Sequence, residues 1–164
     1  SRGACLVTTI SPALPYALFD RSISHATEME QFNGSVVFKG IIDCTTACLE
    51  NGIPVGLGTD TGCPYITHYD MWRELHYYHK YCGVSNAFAL YSATLQNARL
   101  LGIEDVTGSI ERGKCADFVV TEGNPLEDLD TLRNISMVVA RGRLIRDPKV
   151  KKMPQVEREL DKYL

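Results

Sequence analysis

The sequence predicts an α/β chain that opens on parallel strand pairing and ends in small antiparallel strands. Three observations carry this. Two short apolar runs, "ACLVTTI" and "IPVGLG", flank a segment in which apolar residues recur at three- and four-residue steps. Two further helix-like segments follow the second run. Beyond them, β-branched runs alternate with Arg-Gly turns.

Each element has its own warrant. Ala4–Ile10 is short and β-branched and stops before "SPALP", which suits a buried strand ending near Ser11. Pro12 to Asn33 carries two prolines and no clean period, so a long, partly helical loop is expected there. From Gly34, the residues Val37, Phe38, Ile41, Ile42, Thr45, Cys48 and Leu49 share one helical face. Asn51-Gly52 ends that helix, because both residues tolerate the left-handed conformation. "IPVGLG" is a second buried strand, with Pro54 permissible near its start. Strand, helix and apolar strand make a βαβ unit and imply parallel pairing.

"YDMWRELHYYHKYCG" reads as a helix opened by Asp70 and closed by Gly83. "SNAFALYSATLQNARLLG" is another, capped by Ser85 and stopped at Gly102. "GSIERGKCADFVV" places a turn at Arg112-Gly113-Lys114 between two strand-like runs. "ISMVVARGRLI" does the same around Arg141-Gly142, and "NPLEDLDTL" between them has loop and short-helix character. A boundary near Val106–Gly108 follows, giving segments 1–106, 107–146 and 147–164, the last a peripheral tail that turns helical from about Gln155.

The composition, 45% apolar and 23% charged, is that of a soluble globular chain, and 164 residues suffice for one hydrophobic core. A net charge of −3 gives no reason to expect nucleic acid or an anionic membrane as partner. No apolar run approaches the roughly 20 residues of a spanning helix, and the opening residues make a poor signal peptide. The six cysteines form no Cys-x-x-Cys pair and sit in apolar or helical surroundings. Reduced, buried thiols and a cytoplasmic location are expected.

Asp60 is the residue that invites chemistry. An acid placed directly after "IPVGLG" lies at the carboxyl end of a parallel strand, where functional groups gather in βα architectures. There it can bind a divalent metal and exchange protons with the attacking water. Its alternative is to cap the turn that follows.

Several ordered motifs then point to a family. "GIPVGLGTDTG", the helix "AT-x-x-x-A-x-x-LG" from Ala93 to Gly102, "G-x-I-x-x-G-K-x-AD" from Gly108 to Asp117, and "VVARGRLI" resemble the C-terminal part of the amidohydrolase superfamily. The nearest group is the imidazolonepropionase-like hydrolases, which include prolidase-type metal-dependent dipeptidases. The resemblance implies a (β/α)₈ TIM barrel with a small composite β-sandwich built from both chain ends. It also implies a metal site, most simply zinc, made by a His-x-His, a lysine or acid, two further histidines and an aspartate after the eighth strand. Asp60 matches that aspartate, as metal ligand and catalytic proton shuttle. The implied substrate is a small amide, cyclic amide or dipeptide.

The chain departs from that pattern in having no His-x-His, and its four histidines, His25, His68, His76 and His79, follow no strand-like run. Two strand-like runs cannot close a barrel of eight. The expectation is therefore a C-terminal fragment carrying the seventh and eighth strands and part of the sandwich, inactive alone and prone to self-associate or form homo-oligomers. Its unpaired apolar faces would include Phe38, Ile42 and Leu49. His68, in the loop after Asp60, is a candidate substrate contact, and Thr8, Thr9 and Ser11 could line the same mouth. Two other readings stand beside this one: a non-catalytic folding or oligomerisation unit, and a zinc module using His76, His79 and Cys82.

Overall fold

The computed structural model describes residues 3–164. Strand β1 (Leu6–Thr8) runs parallel to β2 (Val55–Leu57), with Leu6 opposite Val55 and Thr8 opposite Leu57. All three residues of β2 are buried. Between the strands lie two short helices, α1 (Ala13–Leu18) and α2 (Arg21–Ser24), and the long crossover helix α3 (Glu28–Glu50). The βαβ unit is as expected, but α3 starts six residues before Gly34. The reason is local: Thr27 and Glu30 form a reciprocal capping box, Thr27 Oγ1 accepting from Glu30 N–H while the Glu30 carboxylate accepts from Thr27 N–H. The expected loop from Pro12 to Asn33 is thus mostly helical. Gly52, at φ +65°, closes α3 as the Asn-Gly pair required.

Helix α4 (Met71–Cys82) follows Asp70 and ends at Gly83, which is left-handed. Helix α5 (Asn86–Tyr91) is capped by the Ser85 side chain on Phe88 N–H and continues through a π turn (Ser92–Gln96) into α6 (Asn97–Leu101). The wider turn brings Asn97 against β2, where its side chain bonds both backbone groups of Leu57.

The antiparallel part is a three-stranded sheet in the order β3 (Phe118–Thr121), β4 (Ile135–Ala140), β5 (Arg143–Arg146). The β4–β5 hairpin turns on Arg141 and Gly142, both at positive φ, the geometry that matches strand twist. The first run of "GSIERGKCADFVV" is not a strand. Ser109 Oγ instead bonds Glu111 and Lys114, and Ile110 is 85% exposed. Local side-chain bonds compete there with a ladder for which no partner strand is present among the described residues.

Two apolar clusters hold the chain together. One joins Ile10, Leu14 and Phe19 to Phe38, Tyr77 and Leu160. The other joins Val55, Leu57, Leu75, Tyr78, Ala89 and Leu129. Leu160 lies in α7 (Pro154–Leu160), so the last segment is part of the core and not peripheral. Phe38 is likewise buried, and Ile42 and Leu49 pack against the clusters, contrary to their expected exposure. The open apolar face of α3 is another one, made by Met29, Phe32, Val36 and Val37. The six cysteines are unpaired, as expected, but none is fully buried: Cys5, Cys44 and Cys115 are exposed and the others intermediate. No helix among the described residues is long and apolar enough to cross a membrane.

Candidate active site

Asp60 follows the end of β2 by three residues. Its backbone is left-handed, φ +49°, a conformation that short polar side chains tolerate but that still marks a constrained position. The carboxylate is exposed, and its hydrogen-bond partner among the described residues is the Cys63 thiol, Sγ donating to Oδ2 at 3.5 Å. A capping aspartate would accept a backbone N–H through its side chain. Here the turn closes through the main chain, Cys63 N–H to the Asp60 carbonyl at 3.4 Å, so the carboxylate is left to face outward. Burial, followed by the bond to Asp60, pushes the Cys63 thiol up, which keeps it a protonated donor.

Asp60 borders a cavity of about 450 Å³ that is also lined by Thr9, Pro12, Ala13 and Tyr16 and by Asn33 and Ile41 of α3. Of the three hydroxyl residues expected at this mouth, only Thr9 lines it. Thr8 is buried and its hydroxyl accepts from Thr45 Oγ1 at 3.0 Å, whereas Ser11 is engaged by Glu74. His68 is exposed and borders a different cleft, of about 830 Å³, with Trp72, Arg133, Ile135 and Lys152. The structure does not bring His68 to Asp60.

The α4 histidines have other partners. His76 Nε2 lies 3.1 Å from Asp130 Oδ1, and the ring meets Trp72 edge-on. Burial lowers its pKa, outweighing the opposing pull of Asp130 and Asp128. His79 Nδ1 is 2.6 Å from the Val84 carbonyl beyond the helix end. Cys82, chiefly through burial, is pushed up to about 11. These three groups share no centre, and among the described residues no group of three or more His, Cys, Asp or Glu side chains could hold a metal ion. A single outward-facing carboxylate with free lone pairs suits one position in the coordination shell of a hard or borderline dication. That position is what Asp60 offers.

Two buried charges next to each other on α4 escaped the sequence reading. Glu74 is fully buried, and its carboxylate accepts from Ile10 N–H (2.6 Å), Ser11 N–H (2.8 Å) and Ser11 Oγ (2.5 Å). Burial raises its pKa to about 7 despite these three donors. Arg73, 1% exposed, pairs with Asp161 Oδ1 at 2.6 Å and approaches Asp70 Oδ2 at 3.4 Å. The signal for them was present: Arg-Glu stands between Trp72 and Leu75, with Tyr77 and Tyr78 one turn on, so both charges lie on faces shared with aromatics.

Residues 12–145 match the amidohydrolase family. A crystal structure from Bifidobacterium longum, provisionally named a prolidase, superposes with a TM-score of 0.94 at 36% identity, covering 97% of this chain and 39% of that one. A Xaa-Pro dipeptidase with methionine bound in its active site superposes at 0.77 with 34% identity, over 88% of this chain and 35% of its own. Among curated relatives, the 5-methylthioadenosine/S-adenosylhomocysteine deaminase of Teredinibacter turnerae is 30% identical over 139 residues, 79% of this chain and 30% of that protein. Guanine deaminase of Escherichia coli is 37% identical over 93 residues, 52% of this chain and 21% of that enzyme. The chain thus spans between a fifth and two fifths of the length of these relatives. By the extent of the family match, the chain belongs to the amidohydrolase family.

Proposed function

We propose that the chain is the C-terminal part of a metal-dependent amidohydrolase that cleaves a C–N bond in a small molecule, a dipeptide before a cyclic amide. The observation that carries this is the exposed carboxylate of Asp60 just past the carboxyl end of β2, bonded through Oδ2 to the Cys63 thiol alone among the described residues, on the wall of a cavity large enough for a dipeptide. The likeness to structures titled prolidase and Xaa-Pro dipeptidase, at 36% and 34% identity over most of this chain, supports the dipeptide over a purine.

On this reading Asp60 is one metal ligand, and the others come from outside the described residues. A divalent ion, zinc by expectation, supplies Lewis acidity that activates water and polarises the scissile carbonyl. Asp60 takes a proton at its free carboxylate oxygen as the water attacks, then delivers it to the leaving nitrogen. Thr9 and Tyr16 bound the substrate there, and Pro12 and Ala13 keep that wall dry. β1 and β2 are the seventh and eighth strands of the barrel, β3 to β5 belong to a composite sandwich, and the segments fall at 1–106, 107–146 and 147–164. Taken alone, this chain is inactive. His68 is a substrate contact only if the loop after Asp60 swings from its present cleft, and His68→Ala then raises KM.

The test is Asp60→Asn in the enzyme that carries this chain, assayed on a panel of dipeptides with bound zinc measured in parallel. Loss of kcat by about 10²–10⁴-fold is expected. Near-normal kcat with the metal retained would reduce Asp60 to a turn residue. The specific alternative is a non-catalytic folding or oligomerisation unit with no independent activity, whose isolated form would bind little metal.

A further inference from the structure

We propose that Glu74 is the positioning residue of the substrate mouth, its buried carboxylate setting the α1 wall of the cavity that Asp60 also lines; this rests on the hydrolase reading of that cavity. The chain leaves β1 at Thr8 and has two free N–H groups, those of Ile10 and Ser11, before Pro12, which has none to offer. Both are taken by Glu74, one on each carboxylate oxygen, and Ser11 Oγ adds a third bond. From this fixed dipeptide α1 begins at once: the Ile10 carbonyl accepts from Ala13 N–H at 3.2 Å and from Leu14 N–H at 3.3 Å.

Helix α1 has six residues and no side-chain cap of its own, so it cannot define its direction by itself. Ala13, Leu14, Pro15 and Ala17 are buried, and Ala13 and Tyr16 line the cavity together with Thr9 and Asp60. Glu74 therefore reaches 64 residues along the chain to hold the N-terminal joint of α1, while Tyr163 holds its far end through the Leu18 carbonyl. The site is fully buried and does not touch substrate itself. Two acceptor oxygens are required, because each of the two N–H groups is bonded to its own oxygen. Glutamine can satisfy one of them and must turn an N–H₂ toward the other.

The experiment compares Glu74→Gln and Ser11→Ala with wild type in the full enzyme, on the dipeptide it turns over best. Glu74→Gln is expected to raise KM about tenfold with kcat within about threefold, since one charge-assisted bond of the joint is lost. Ser11→Ala keeps both N–H bonds and should raise KM only about twofold. Backbone hydrogen exchange, followed in the same samples, should quicken at Ile10 and Ser11 and onward to Tyr16, while α4 and α3 stay protected. If Glu74→Gln does not fold, Ser11→Ala carries both readouts. Unchanged KM with exchange loosened evenly over the whole chain would make Glu74 a general core residue and overturn the proposal. A wild type that cleaves no C–N substrate defeats the hydrolase reading instead, and localised exchange at residues 10–16 still decides whether Glu74 holds the wall.

Discussion

Asn97 closes the outer edge of β2 by gripping a single residue, Leu57: the Leu57 N–H donates to Oδ1 at 3.0 Å, and Nδ2 donates to the Leu57 carbonyl at 2.9 Å. The inner edge of the same strand faces β1, where Gly58 N–H bonds the Thr8 carbonyl and Leu6 N–H the Pro54 carbonyl. A primary amide thus imitates a neighbouring strand for one residue, and any further strand must pair with β2 upstream of Leu57. The close approach also fixes Gly56. A Cβ there would lie 2.3 Å from Asn97 Oδ1 and 2.6 Å from Leu100 Cδ1.

Asn97→Asp is the sharpest probe of this grip. The carboxylate still accepts from Leu57 N–H but presents a second acceptor to the Leu57 carbonyl, so a loss of about 2 kcal/mol is expected. Gly56→Ala should cost a comparable amount, about 1–3 kcal/mol, through displacement of the amide. Because both act on one contact, the double variant should be less destabilised than the sum of the singles. Urea midpoints measure all three, and strict additivity would separate the two residues.

Stability should fall as the pH rises through the range set by Glu74. Its carboxyl is raised from 4.5 to about 7 by burial, so the folded state holds a proton that the unfolded state has already released. The contribution is complete below about pH 4.5 and lost by about pH 7, with an upper size of roughly 3 kcal/mol. Glu74→Gln should flatten this slope. A wild-type urea midpoint that climbs steadily from pH 5 to pH 7 would show that the three donors outweigh burial.

Asp161 sits between two arginines, Arg73 and Arg133, which together hold its carboxyl below its ordinary range although burial pushes the other way. Asp161→Ala leaves Arg73 buried with Asp70 alone, more distant at 3.4 Å, and should destabilise by about 2–3 kcal/mol. Arg73→Met in the same background should recover part of that loss. If the double variant is the weaker of the two, Arg73 has value beyond its partner, and thermal melts will show it.

The chain on its own should self-associate, through the stripe of Met29, Phe32 and Val36 on α3, exposed by 67%, 63% and 57%. Light scattering at micromolar concentration is the measurement. Phe32→Lys with Val36→Lys should shift the distribution toward monomer, and a strictly monomeric wild type would remove the stripe from consideration.

The βαβ unit and the terminal hairpin were legible because their signals are local: an apolar period, an Asn-Gly stop, an Arg-Gly turn. The position of Asp60 just past the end of β2 was legible for the same reason, as an acid out of place after an apolar run. Glu74 and Asn97 were not, since each acts on backbone groups far along the chain, 64 and 40 residues away, and nothing next to them in sequence tells what they reach. The inward face of α3 was legible, apart from Val37, but its open stripe was not, because the true start, set by the Thr27–Glu30 box, adds a turn and a half that carries the exposed Met29 and Phe32. His68 lay close to Asp60 in sequence, yet the turn at Asp60 to Cys63 leads the chain away from the mouth.

The docking of α7 has a consequence for how the polypeptide is made. Leu160 fills the core beside Ile10 and Leu14, Tyr163 stacks on Phe19 at 5.7 Å, and its hydroxyl donates to the Leu18 carbonyl 145 residues earlier. While the ribosome still encloses residue 160, that core lacks a member, and the wall-forming helix α1 has nothing to lean on from that side. Until α7 is made, the nascent chain carries these apolar residues uncovered, and the closure spans 145 residues. Slowed translation through the codons of α7 should lengthen that exposure and favour chaperone capture.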